Sequence, residues 1–183
     1  MGKVFESIRP ELATWIRRQH LFFVGTAPLA AEGHVNLSPK GLDTFRILDP
    51  MTVAYLDLTG SGAETIAHLR ENGRIVFMFC AFEGPPKIVR LHGRGEVIAP
   101  DSPEYSGMVA DMPVFPGARS VIRAHISRVS DSCGYAVPRY SYQADRDGLQ
   151  RWADNKGKED ILAYQAQKNA RSIDGLPALK GGR

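Results

Sequence analysis

The residues best suited to chemistry sit where an apolar run, "MTVAYLDL", meets Thr59-Gly60-Ser61-Gly62 and continues as a helix-forming stretch. Gly60 and Gly62 bare the backbone on both sides of Ser61. Free amides at a helix start, reinforced by the positive end of the helix dipole, suit a phosphate. Ser61 and Glu64 also have capping-box spacing, so Ser61 is expected to cap this helix as well. The turn matches no familiar nucleotide loop. No lysine follows the glycines as in a P-loop, Gly-x-Gly-x-x-Gly is absent, and Ser61 lacks the outer glycines of a nucleophile elbow. Glu64 repels a dianion, so positive charge has to come from elsewhere in the chain.

Period-two alternation finds that charge on two strands that flank the turn in sequence. In "KIVRLHGRG", Val89 and Leu91 point one way, and Ile88, Arg90, His92 and Arg94 the other. In "HVNLSPK", Asn36 and Ser38 share one face, with Lys40 just past Pro39. Asn36, Ser38, Lys40, Thr59, Ser61, Thr65 and Arg90 are therefore expected to line one polar slot. Asp57 could act there as acid or base, or simply end its strand. Trp152 packs a helix or stacks on a ligand. The histidines, His20, His34, His68, His92 and His125, show no metal-ligand spacing. Cys80 lies in an apolar strand and reads as an inert thiol.

These groups need a frame, and the sequence describes one. "PELATWIRRQ" reads as a helix with Pro10 in its first turn. "HLFFVGTAP", "HVNLSPKG" and "MTVAYLDL" read as strands; after the helix at 63–72, stopped by Asn72-Gly73, come "RIVFMFCAF" and "KIVRLHGRGEVIA", paired as a hairpin. Gly93 and Gly95 inside a strand imply a bulge or bend. A short helix over 103–112 precedes the last long strand, "RSVIRAHISRVSDSCGYAV", and the chain turns helical from Asp145 with a break at Lys156-Gly157. About six strands, with one helix inserted and helices at both ends, argue for a mainly β, α+β architecture: a small antiparallel barrel. Residues 1–144 form the barrel, and 145–183 a helical extension on the same domain.

Composition narrows the function classes. Hydrophobic residues at 43% and charged residues at 23% are those of a globular chain of one domain. There is no signal-like apolar run at the N-terminus and no membrane-length segment. Two unpatterned cysteines, Cys80 and Cys133, suggest reduced thiols and a cytoplasmic setting, though a bridge between them stays open from sequence. Net charge is +3, but Arg17-Arg18 is the only adjacent basic pair, too thin for a nucleic-acid footprint. A small anionic ligand fits better.

"VNLSPKG", "YLDLTGSGAETIAHLRENGRIVFMFCAF" and "RLHGRGEV", in that order, resemble successive motifs of the FMN-binding split-barrel proteins related to pyridoxamine 5′-phosphate oxidase. "CGYAVP" and "KNARSIDGLP" resemble the C-terminal part of one bacterial and fungal branch, and the similarity spans roughly residues 5 to 177. The resemblance implies a six-stranded antiparallel split β-barrel with flanking helices. It also implies a homodimer, and FMN at the dimer interface with its phosphate near Gly60 to Thr65. Cofactor contacts are then expected from Asn36, Leu37, Ser38, Lys40, Asp57, Thr59, Ser61, Gly62, Thr65, Arg90 and Trp152. Some relatives use a deazaflavin. The departures are specific: Gly62 and Ala63 stand where the oxidases carry an Arg-Lys pair, and Ile88 where they carry a glutamine. No Arg-x-His pair follows Trp152. The implied activity is a flavin-dependent oxidoreductase acting on a small-molecule redox substrate, with oxidation of pyridoxamine phosphate disfavoured; a non-catalytic flavin-binding protein is the alternative.

Overall fold

A computed structural model describes residues 2–179; Met1 and residues 180–183, the ends of the two regions assigned from sequence, lie outside the described residues. The chain runs β1 (Val4–Phe5), α1 (Pro10–Arg17), β2 (Phe22–Thr26), β3 (Asn36–Lys40), β4 (Phe45–Asp49), β5 (Thr52–Leu58), α2 (Glu64–Asn72), β6 (Arg74–Cys80), β7 (Ile88–Ile98), α3 (Tyr105–Val109), β8 (Ala118–Ser132) and α4 (Gly148–Lys168). All strand pairings are antiparallel, in the order β3-β2-β6-β7-β8-β5-β4, with β1 on β8.

The sheet curls until its ends meet through side chains. Phe22 on β2 lies 5.1 Å from the Phe45 ring on β4 and 5.7 Å from Tyr55 on β5. Phe45 also meets Phe77 and Phe79 of β6 at 5.6 and 5.0 Å. β3 and β4, the two ends of the strand order, share no ladder, which leaves the barrel split along that seam. Alternation supplies its filling: Val24, Phe77, Phe79, Val89, Leu91, Ile122 and Ile126 are all buried in one cluster. Leu12, Ala13 and Ile16 of α1 and Ile66, Ala67 and Leu69 of α2 join it. A second cluster, with Ala54, Leu56, Ile98 and Val121, lies on the other face of β5 and β8 beneath α3.

Two strands escape the sequence reading. β1 has only two residues, and β4 shows no clean alternation of burial. The last strand also ends at Ser132, short of the expected Val137. The bend expected at Gly93 is a register shift between His92 and Gly93; a Cβ there would stand 2.1 Å from the His125 carbonyl oxygen, so only glycine fits. The expected break in the C-terminal helix falls at Gly157, whose φ of 75° kinks α4.

Candidate functional site at the glycine turn

β3 brings its polar residues to the inner face of the barrel. Asn36, Ser38 and Lys40 stand opposite Thr26, Val24 and Phe22, all buried. The Ser38 hydroxyl donates to Asn36 Oδ1 at 3.0 Å, and Asn36 Nδ2 donates to Thr65 Oγ1 at 3.0 Å and to Thr26 Oγ1 at 3.2 Å. Thr26 Oγ1 lies 3.0 Å from Nδ1 of fully buried His68. Burial pushes the His68 imidazole below its ordinary value, against the pull of Asp174, Glu64 and Glu71. This polar chain ties β3 to α2.

Beside it lies a charge cluster. Asp57, with no exposed surface, accepts from Lys40 Nζ at 3.3 Å and from Arg119 Nε at 2.7 Å. Burial alone would raise the Asp57 carboxyl; Lys40 and Arg119 reverse this and hold it below the usual carboxylate value. Two cations against one carboxylate leave one positive charge in excess.

The turn itself is pinned by its oxygens. Gln165 Nε2 donates to Thr59 Oγ1 at 2.8 Å, Asn169 Nδ2 to the Gly60 carbonyl at 3.0 Å, and Arg119 Nη1 to the Gly62 carbonyl at 2.9 Å. In a trans peptide the carbonyl of one residue and the N–H of the next point opposite ways. Pinning Gly60 O and Gly62 O therefore turns the Ser61 and Ala63 amides away from Asn169 and Arg119. Among the described residues, the amides of Gly60 to Ala63 have no hydrogen-bond acceptor. The expected capping box does not form: Ala63 is the N-cap, Ser61 is exposed, and Glu64 Oε1 accepts from the Ile173 amide at 3.3 Å. Two glycines and a competing C-terminal segment start the helix later than Ser61.

The site residues expected from sequence divide. Asn36, Ser38, Lys40, Asp57 and Thr65 converge through the contacts above, with Thr59, Ser61 and Gly62 in the adjoining turn. Leu37 points away from them and is 64% exposed on the edge strand. Arg90 stands opposite Met78, which pairs with Phe23, the partner of Pro39; in this chain it is on the other face of the sheet from Lys40. Its Nη1 donates to Ser132 Oγ at 3.2 Å. Trp152 packs within α4, edge-on to Tyr164 at 5.3 Å, with Lys156 over its ring.

Sequence reading missed Arg119, Gln165 and Asn169. Alternation groups Arg119 with Val121 and Arg123, away from the barrel interior. A bulge intervenes: Asp57 pairs Ser120 and Leu58 pairs Ala118, which leaves Arg119 as the extra residue, drawn in to Asp57. Asn169, fully buried, follows the last residue of α4; its role depends on a tertiary contact between positions 109 residues apart. Of the three, only Asn169 lies in a stretch with a sequence signal, "KNARSIDGLP".

Two cavities lie at the α1 end of the barrel. One, of about 500 Å³, has aromatic walls from Trp15, Phe82, Tyr140 and Tyr142. The other, of about 410 Å³, is lined by Phe22, Gly41, Phe45 and Arg46 and begins one residue beyond Lys40. Gln19 and His20 line both. Among the described residues no His, Cys, Asp and Glu cluster could hold a metal, and no helix is long and apolar enough to cross a membrane. Cys80 and Cys133 are both free thiols.

A curled antiparallel sheet in this strand order has known counterparts. The family model described as pyridoxamine 5′-phosphate oxidase matches residues 8–133. A pyridoxamine 5′-phosphate oxidase family protein, ustO of Aspergillus flavus, is 44% identical over 194 residues, covering 96% of this chain and 77% of its own. The chain belongs to the pyridoxamine 5′-phosphate oxidase family. Its fold is similar to that of HupZ from Group A Streptococcus (TM-score 0.56, 23% identity, 68% of this chain and 99% of that one). It is similar also to the FAD binding protein from Mycobacterium smegmatis (TM-score 0.50, 11% identity, 69% and 96%).

Proposed function

We propose that this protein is an FMN-dependent oxidoreductase, acting as a homodimer on a small-molecule redox substrate other than pyridoxamine phosphate. The observation that carries the reading is the glycine turn: unpaired amides at the start of a nine-residue helix, next to two cations that share one carboxylate. That donor set suits a phosphate monoester. The family membership and a fold neighbour that is an FAD binding protein support the same class of cofactor.

When bound, FMN would supply hydride transfer between a donor and an acceptor. The chain's part is to bind and orient. β3 is an edge strand, so half of its backbone N–H and C=O groups have no ladder partner and are free to meet the polar edge of a flavin ring. The side chains of Asn36 and Ser38 are occupied with one another and with Thr26 and Thr65, which fixes the strand in place. A second copy would close the site. Leu29, Val35 and Leu37, on and beside β3, are 64%, 77% and 64% exposed, an apolar surface that a partner would cover.

A phosphorylated vitamin substrate would need cations beyond those holding the cofactor. Gly62 and Ala63 supply none, and residues 126–183 contain no histidine to complete an Arg-x-His pair. The testing experiment loads the protein with FMN and titrates it anaerobically with NADH and NADPH. Pyridoxal phosphate formation is assayed alongside. Bleaching of the flavin without pyridoxal phosphate is expected. Efficient pyridoxal phosphate formation would overturn the substrate assignment, and a flavin that neither nucleotide reduces would leave a binding protein.

A further inference from the structure

We propose that Arg119 and Asn169 together set the glycine turn so that its Ser61 and Ala63 amides, pointing away from both side chains, take the phosphate. Arg119 would thus supply from β8, behind the turn, positive charge in place of the basic pair that Gly62 and Ala63 displace. This rests on the flavin reading above and names the residues that would make it work.

Arg119 is 6% exposed, yet its hydrogen bonding is incomplete. A guanidinium has five N–H groups. Nε–H goes to Asp57, and the two on Nη1 go to the Gly62 carbonyl and Asn169 Oδ1 at 2.9 and 2.8 Å. Among the described residues, Nη2 has no acceptor. A cation so buried, locked on three sides and bonded to a carbonyl of the turn, holds the turn rigid and lends its charge to an anion on the amide side. The free amides of Ser61 and Ala63, on the side of the turn away from Arg119, are the donors that would meet that anion. Asp57 neutralises one of the two cations, so the cluster keeps one positive charge for a ligand.

Asn169 is the positioning residue. Its Oδ1 orients the guanidinium while its Nδ2 holds the Gly60 carbonyl, so one side chain fixes both the cation and the turn. Its own backbone is held in turn, with its N–H on the Gln165 carbonyl at 2.8 Å and its carbonyl accepting from Leu179 N at 2.9 Å. The end of α4 is thereby coupled to the anion site. Exposed lysine pairs on the turn would bind anions without such support; a buried arginine needs it.

The test compares FMN, riboflavin and inorganic phosphate on the full chain, as wild type, Arg119→Lys, Asn169→Ala and Asn169→Asp. Riboflavin reports the ring alone, and free phosphate the anion site alone. Freeing the turn by removing one of the charge-assisted contacts that hold it should weaken FMN by about tenfold to a hundredfold. Arg119→Lys keeps the charge but loses the fork, and should weaken FMN about tenfold with riboflavin unchanged. Asn169→Asp keeps the Arg119 partner but loses the donor to Gly60, and should fall between wild type and Asn169→Ala. Amide NMR gives an independent readout: phosphate should shift the Ser61 and Ala63 signals in wild type, and much less in Asn169→Ala. Equal losses of FMN and riboflavin in all variants, or no shift at Ser61 and Ala63 with phosphate, would overturn the assignment. Phosphate shifts at the turn in a wild type that binds neither flavin would instead sink the flavin reading and keep Arg119 and Asn169 as the residues that set an anion-binding turn.

Discussion

Replacing Asp57 by Asn should move stability and phosphate affinity in opposite directions. The carboxylate has no exposed surface, and its two partners, Lys40 and Arg119, have side-chain exposures of 23% and 4%. Breaking a buried ion pair by removing one partner costs about 3–5 kcal/mol. The amide keeps the shape and one acceptor, so the lower end, about 3 kcal/mol, is expected. In a chain of this size that lowers the thermal midpoint by roughly 6–12 °C, at about 2–4 °C per kcal/mol. The same change raises the excess charge at the turn from one to two. One added unit charge acting across about 10 Å at an effective dielectric of about 20 is worth about 1.7 kcal/mol, or some fifteenfold in affinity. Thermal unfolding followed by circular dichroism at neutral pH reads the first quantity, and FMN titration on the same sample reads the second. A variant with both unchanged would refute the electrostatic account. Lower stability with weaker FMN binding would show that Asp57 orients its cations more than it offsets them.

Stability should fall in acid in two stages. The folded His68 lies below its ordinary 6.5, so the unfolded chain binds the extra proton first and stability drops as pH falls through that value; the depressed Asp57 adds a second loss as pH falls below 3.8 and through its folded value. Urea titrations from pH 8 to about pH 3 check this, and His68→Gln should flatten the first stage. Arg90→Ala should change FMN affinity by less than about twofold, since Arg90 is on the other face of the sheet from Lys40 in its own chain; a tenfold loss would mean that the other copy's Arg90 completes the site. Gly93→Ala should destabilise the barrel by about 1–3 kcal/mol through overpacking against His125, as measured by denaturant midpoint. Light scattering should show a dimer, and Leu37→Glu on the exposed edge should shift it towards monomer with loss of flavin.

Much of this fold was legible because its strands carry short-range signals. The alternation of Ile75, Phe77 and Phe79, the turn after Asn72 and the paired glycines on β7 each declare themselves within a few residues. β4 did not: Phe45 and Ile47 pack on the barrel core, but Arg46 between them is likewise half-buried and no alternation shows. At the site, Asn36, Ser38 and Lys40 were readable from parity. Arg119 was not, because a bulge on β8 reverses the parity that sequence assigns it. Asn169 and Gln165 lie beyond any local rule, since their partners are Gly60 and Thr59. The same limit explains Arg90. Alternation tells which residues share a face of one strand, but only the register across β2, β6 and β7 tells that its face is not that of Lys40.

The most direct test of the flavin assignment is the visible absorption spectrum of the freshly purified protein, followed by FMN titration of any cofactor-free fraction. A yellow protein, or one that takes up a single FMN per chain and quenches or shifts its fluorescence, is the predicted result. A colourless protein that binds no FMN at saturating concentration would contradict the account.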